Sequence, residues 1–322
     1  MDQADTILLS EVEKYVLQTL ASSITSSPCD DPFLDQVDDA VKHLPYNLTH
    51  RLASFVRHGS SSGYLHISNI ILSDIPPTPL GNQSHIGETT ELARIQAIFN
   101  QAMGEMISYE AEGGGRLFQD MVPKLDQAQT QTSLSSGVEL ELHTEQAFSQ
   151  LRPDILSLAC LRGNPSAKTY ILHVSEVLSR LPPEKIRLLW QPLWMIGVDR
   201  SFKMNNIDFI EGDIRGPLSI LSGPPNDPIF RFDQDLMTGI TEEAEDLKRE
   251  IIAMYYSYRK EHVLEPGELI FVDNRRTVHG RSSFQAHYTG TDRFIIRSFV
   301  TFDLEKSAYA RLGSRMILAK YS

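Results

Sequence analysis

From Gly115 to about residue 302 the chain is a succession of short apolar, β-branched and aromatic runs, each closed by glycine, proline or a polar turn, and this texture restricts the folds open to it. Runs at 117–122, 138–145, 155–161, 170–174, 218–221, 229–232, 269–272 and 293–302 predict strands. Helical spacing interrupts them at about 175–191 and 241–261. So many short strands predict a sandwich or barrel, and argue against a doubly wound parallel sheet. The first third reads differently. Helices are predicted over 6–26, after a cap at Asp5 or Thr6, and over 33–44, 47–58 and 89–108, with one strand-like run at 63–72. The expectation is one domain over 1–322: a helical part at 1–58, then a mainly β core at 60–303 with flanking helices and lid insertions.

Composition narrows the function classes. A chain of 322 residues with 41% hydrophobic and 22% charged content can bury one large core. Its formal charge of −12 argues against general nucleic-acid or anionic-membrane binding and suits a cationic small molecule. Two cysteines, Cys29 and Cys160, cannot form a disulfide framework. The start of the chain has no secretory signal pattern and no run reaches membrane-spanning length, so the default expectation is cytoplasmic. Oligomeric state has no signature.

Chemistry enters at 137–145. Val138, Leu140 and Leu142 alternate with Glu139, Glu141, His143 and Glu145, which predicts a strand with one polar face carrying His143 and Glu145 together. An imidazole and a carboxylate suit iron(II). A third ligand is expected from afar, and His279 supplies it, after a Pro266-Gly267 turn and a buried strand at 269–272. Two histidines and a carboxylate on one side of a metal leave open positions for a chelating keto acid and then dioxygen. His143-Thr-Glu145 alone is as readily a solvated strand face, and lone histidines such as His173 or His262 are more often structural. Fourteen residues after His279, Arg293 opens an apolar strand, a costly place for a cation unless an anion meets it. The distal carboxylate of 2-oxoglutarate is such an anion.

Together His143-Thr-Glu145, Pro153, the Leu158-Ala-Cys160 run, the 265–274 segment ending in Val-Asp-Asn, His279 and Arg293 resemble the clavaminate synthase-like iron(II)/2-oxoglutarate oxygenases, over about residues 60–303. That group includes hydroxylases of free arginine, asparagine and lysine. The resemblance implies a distorted jelly-roll (double-stranded β-helix) core, iron held by His143, Glu145 and His279, and 2-oxoglutarate and dioxygen as co-substrates. It implies Arg293 on the distal carboxylate of 2-oxoglutarate with Thr169 as a second contact. It also places Arg297 on the substrate's α-carboxylate and Ser133 against the substrate.

For the substrate, the resemblance draws attention to Asp233 and Asp235, spaced to flank a guanidinium or ammonium, although a turn or cap explains them equally well. Gln119 is a candidate for the α-amino group. Trp190 and Trp194 are pocket walls or plain core. Glu211 and Asp213 are lid charges or solvated loop. The implied reaction is hydroxylation of free L-lysine or L-arginine at C3 or C4. Alternatives within the same chemistry are desaturation or cyclisation, or a neutral or carrier-bound amino acid. From other classes come a zinc hydrolase, which leaves Arg293 unexplained, and a non-catalytic jelly-roll binding module.

Overall fold

The computed structural model describes residues 5–199, 202 and 213–322. Its strands are β1 (Thr6–Leu8), β2 (Tyr64–Ser68), β3 (Glu105–Tyr109), β4 (Gln119–Met121), β5 (Leu140–His143), β6 (Ile155–Arg162), β7 (Lys168–His173), β8 (Trp194–Gly197), β9 (Ile214–Leu218), β10 (Leu221–Ser222), β11 (Ile229–Phe230), β12 (Met237–Gly239), β13 (Lys260–Val263), β14 (Leu269–Asp273), β15 (Thr277–Arg281), β16 (Phe294–Thr301) and β17 (Met316–Ile317). The helices are α1 (Glu11–Ser23), α2 (Pro32–Val41), α3 (Tyr46–His58), α4 (Glu91–Met103), α5 (Val174–Leu178), α6 (Pro183–Leu189) and α7 (Glu242–Tyr258).

The strands form the distorted jelly roll that the sequence implied. A major sheet runs β1-β2-β14-β6-β16-β3-β17, with β4 also on β16, and a minor sheet runs β13-β7-β15-β5. The central strands are buried on both faces, which is why they read as continuous apolar runs rather than alternating ones. On β14, Leu269 and Phe271 face the N-terminal helices, while Ile270 and Val272 face the minor sheet. Helices α1 to α4 cover the outer face of the major sheet through residues such as Leu17, Val37, Leu52 and Phe99. Polar contacts fix the docking of α4, where Gln96 donates to Ser157 Oγ at 2.9 Å and Asn100 to Ser298 Oγ at 3.2 Å. The outer face of the minor sheet packs on α7 and β8 through Leu172, Val278, Tyr255 and Trp194.

Several boundaries differ from expectation. Residues 6–8 are a strand in parallel register with β2, and α1 starts later, at a capping box in which Ser10 and Glu13 satisfy each other's backbone N–H groups. The helix expected to run to 108 stops at Gly104, and 105–109 joins the major sheet as β3. The helix expected over 175–191 is split by Pro182 and Pro183, whose rings cannot continue a helix interior. The Pro266-Gly267 turn is confirmed in a demanding form: at φ +83°, a Cβ on Gly267 would sit 2.1 Å from the Ile70 carbonyl oxygen. No helix among the described residues is long and apolar enough to cross a membrane.

Candidate active site

A cavity of about 140 Å³ opens between the two sheets. At its centre β5 and β15 pair antiparallel with His143 directly opposite His279. Glu145 is not on the strand, as the alternation predicted. Strand β5 ends at His143, and Glu145 sits in the following turn, next to Gln146 at φ 52°. Asn274 holds that turn: it accepts from the Glu145 N–H at 2.7 Å and donates to the carbonyls of Glu145 and Pro153. Glu145 Oε2 lies 3.5 Å from His279 Nε2 and 3.9 Å from His143 Nε2. One donor atom from each of the three residues falls within 4.8 Å of the others.

The protonation states suit a metal. His143 Nδ1 is 2.8 Å from the Glu141 carbonyl, which only accepts, so Nδ1 carries the hydrogen and Nε2 offers its lone pair. Burial, reinforced by His143, pushes His279 down to about 4 and keeps it neutral. Burial alone would raise Glu145, but Arg297 and the two imidazoles outweigh it and hold the carboxyl at about 2. Two imidazoles that each offer a ring nitrogen and an ionised carboxylate are the donor set of a non-haem iron(II) site.

Deeper in the cavity stand two buried guanidinium groups. Arg293 immediately precedes β16, and burial lowers it to about 10. Arg281, two residues beyond His279, is lowered to about 9 by burial and by Arg293. Neither has a carboxylate partner among the described residues; Arg281 donates to the Ser133 carbonyl at 3.3 Å and to Ser135 Oγ at 2.9 Å. Thr169, buried on β7, is in register with Arg281 and lines the same cavity. Arg281 escaped the sequence reading, although its spacing from His279 on one strand is the signal that would have found it.

Arg297, by contrast, already has carboxylate partners. Its guanidinium donates to Glu145 Oε1 at 3.1 Å, to Gln119 Oε1 and to Glu112. Gln119 is buried on β4 with its Nε2 unpartnered among the described residues. Glu112, which burial pushes upward, was missed because it lies in an irregular segment before three glycines.

Asp233 and Asp235 line the same cavity, together with Glu141 and Asp199. Asp233 also serves the local turn, its Oδ1 accepting from the N–H groups of Asp235 and Leu236 at 3.0 and 2.7 Å. Its burial raises the carboxyl to about 7. Ser133 reaches the cavity wall. Trp194 is fully buried in the core with its indole N–H on the Ala244 carbonyl, and neither Trp190 nor Trp194 lines the cavity. Asp213 pairs with Arg215 away from the cavity, and Glu211 lies outside the described residues.

Comparisons with known proteins agree with this geometry. Residues 208–299 match the family described as taurine catabolism dioxygenase TauD, TfdA family. An L-lysine 3-hydroxylase from Catenulispora acidiphila is 43% identical over 320 residues, covering 98% of this chain and 89% of that protein. The solved structure of an asparagine oxygenase with Fe(II), 2S,3S-3-hydroxyasparagine and succinate superposes with a TM-score of 0.91 at 30% identity, covering 98% of this chain and 99% of that one. The oxygenase OrfP, solved with Fe and alpha-ketoglutaric acid, gives a TM-score of 0.86 at 26% identity over 97% and 99% of the two chains. The chain belongs to the clavaminate synthase-like iron(II)/2-oxoglutarate-dependent oxygenases, in the branch of amino-acid hydroxylases. It uses iron(II), 2-oxoglutarate and dioxygen.

Proposed function

We propose that this single-domain enzyme hydroxylates a free basic L-amino acid, L-lysine ahead of L-arginine, at C3 or C4. The observation that carries the reading is the charge lining one cavity: Arg281 and Arg293, without a carboxylate partner among the described residues, and the acidic wall of Asp233, Asp235, Glu141 and Asp199, around the same space as the His143–Glu145–His279 cluster. A dianionic co-substrate suits the two guanidinium groups and a cationic side chain the carboxylates. The 43% identity to a lysine 3-hydroxylase favours lysine and C3.

In this reading His143, Glu145 and His279 hold the iron, and Arg293 and Thr169 take the distal carboxylate of 2-oxoglutarate. Arg297 takes the substrate's α-carboxylate, with Gln119 and Glu145 near its α-amino group. Ser133 bounds the substrate, and Asp233 and Asp235 meet its terminal cation. Iron with 2-oxoglutarate and dioxygen supplies the oxidation: 2-oxoglutarate becomes succinate and carbon dioxide, one oxygen atom entering succinate and the other the new C–OH. What the protein contributes is placement of one C–H bond near the metal and exclusion of water by apolar neighbours such as Leu156, Leu158 and Phe202.

The test is anaerobic iron(II) reconstitution with 2-oxoglutarate, then oxygen and a panel of amino acids, reading succinate and product mass. Gain of one oxygen atom on lysine, abolished in His143→Ala, is expected. Turnover with neutral amino acids alone would remove the role given to the acidic wall. No turnover with any free amino acid would point to a carrier-bound substrate.

A further inference from the structure

A second pair of imidazoles meets a carboxylate elsewhere between the same two sheets. His66 on β2, His262 on β13 and Glu268 just before β14 bring one donor atom each within 4.8 Å of one another. His66 Nε2 lies 3.2 Å from Glu268 Oε1, and His262 Nε2 lies 3.2 Å from Oε2. The rings stand nearly edge to face, with centroids 4.7 Å apart. Both histidines are buried, and none of the three residues lines the catalytic cavity.

Strand register places the cluster. His66 is opposite Ile270, whose side chain lies between the sheets, and His262 is opposite Thr169 on the face that carries Arg281. The two imidazoles therefore approach from different sheets and meet where β2, second from the margin of the major sheet, faces the edge strand β13. We infer that His66, His262 and Glu268 form a second metal site, for one divalent transition ion of the zinc type, which staples the two sheets together there.

Three features favour an ion over a hydrogen-bonded relay. First, His66 Nε2 is buried and 3.2 Å from Glu268 Oε1, yet it is misaligned for a hydrogen bond to it and has no other partner among the described residues. A lone pair directed at a metal needs no such partner. Second, each imidazole Nε2 lies 3.2 Å from a carboxylate oxygen, His66 from Oε1 and His262 from Oε2, close enough for one ion about 2.1 Å from its donors to sit among them. Third, the outer contacts are those that orient metal ligands. Thr6 Oγ1 lies 3.4 Å from His66 Nδ1 and can take its hydrogen, freeing Nε2, and the Glu265 N–H donates to Glu268 Oε2 at 2.9 Å. With three protein donors, a fourth position suits a water molecule, and since none of the three residues lines the catalytic cavity the role is structural.

The catalytic cluster must be silenced to test this. H143A/H279A protein, full length, is stripped with chelator and titrated with cobalt(II) and, separately, zinc(II). The expected result is one equivalent bound, an intense visible band of tetrahedral cobalt, and a thermal midpoint raised by zinc. Adding H262Q or E268Q to that background should abolish all three, while circular dichroism verifies that the variants remain folded. The inference is overturned if H143A/H279A binds no cobalt or zinc and its midpoint ignores both ions. It is equally overturned if the equivalent persists in folded H262Q and E268Q variants.

Discussion

His143 and His279 are directly opposed partners in the β5–β15 ladder, their ring centroids 4.3 Å apart, so one antiparallel pairing sets both imidazoles of the candidate iron site. The register shifts between His279 and Arg281, immediately beyond the pair. Such an irregularity bends the strand locally and re-aims its side chains, a device common beside active sites.

Gly280 lies inside that irregularity. A Cβ there would come 2.4 Å from Tyr255 Oη and 2.6 Å from the Leu140 carbonyl oxygen. Gly280→Ala should therefore displace β5 and with it His143. The expected cost is about 1–3 kcal/mol of stability together with a clear loss of iron affinity. Anaerobic iron(II) titration alongside thermal unfolding separates the two, and unchanged iron affinity would mean the ladder tolerates the shift.

Removing the Arg293 guanidinium should act on the co-substrate alone. Arg293→Ala is expected to raise the KM for 2-oxoglutarate by about 10- to 100-fold, as for loss of a charge-assisted hydrogen bond worth roughly 1.5–3 kcal/mol. The KM for lysine should change little. Arg281→Ala should disturb both constants, because the same guanidinium holds the Ser133 and Ser135 loop.

Asp233→Asn isolates charge from turn geometry, since the amide keeps an oxygen for the Asp235 and Leu236 N–H groups. A fall in kcat/KM for lysine of about tenfold or more is expected, with neutral amino acids unaffected or improved. Equal losses across the panel would assign Asp233 to the turn only. Asp235→Asn, at an exposed rim position, should have a smaller effect in the same direction.

Far from the site, Ser10→Ala removes one arm of the α1 capping box and should cost about 1 kcal/mol with full activity retained. Differential scanning calorimetry beside a succinate assay checks both halves of that statement.

How much of this was legible in the sequence depends on what each residue needed from its surroundings. Strands β6, β14 and β16 were readable because burial on both faces writes itself as an unbroken apolar run. β1 was not, since three residues flanking a helix carry no period of their own and become a strand only against β2. His143, His279 and Arg293 announced themselves by residue type in unlikely places. Glu145 was found by the wrong route: alternation put it on a strand, whereas Asn274 holds it in a turn. Glu112 and Arg281 were silent because their significance lies in partners that only the folded chain brings near.

The guanidinium groups and the carboxylates of the cavity, Glu141 on β5 excepted, come from different kinds of structure. Thr169, Arg281 and Arg293 lie on, or directly at the end of, strands of the jelly-roll core. Asp199, Asp233 and Asp235 come from the connections between elements, segments that tolerate replacement far better than core strands do. Inheritance can thus work on the two separately. With the roles proposed above, a lineage built on this scaffold is free to exchange the molecule it oxidises by rewriting a few loop residues, while the strand residues proposed to hold 2-oxoglutarate stay in place.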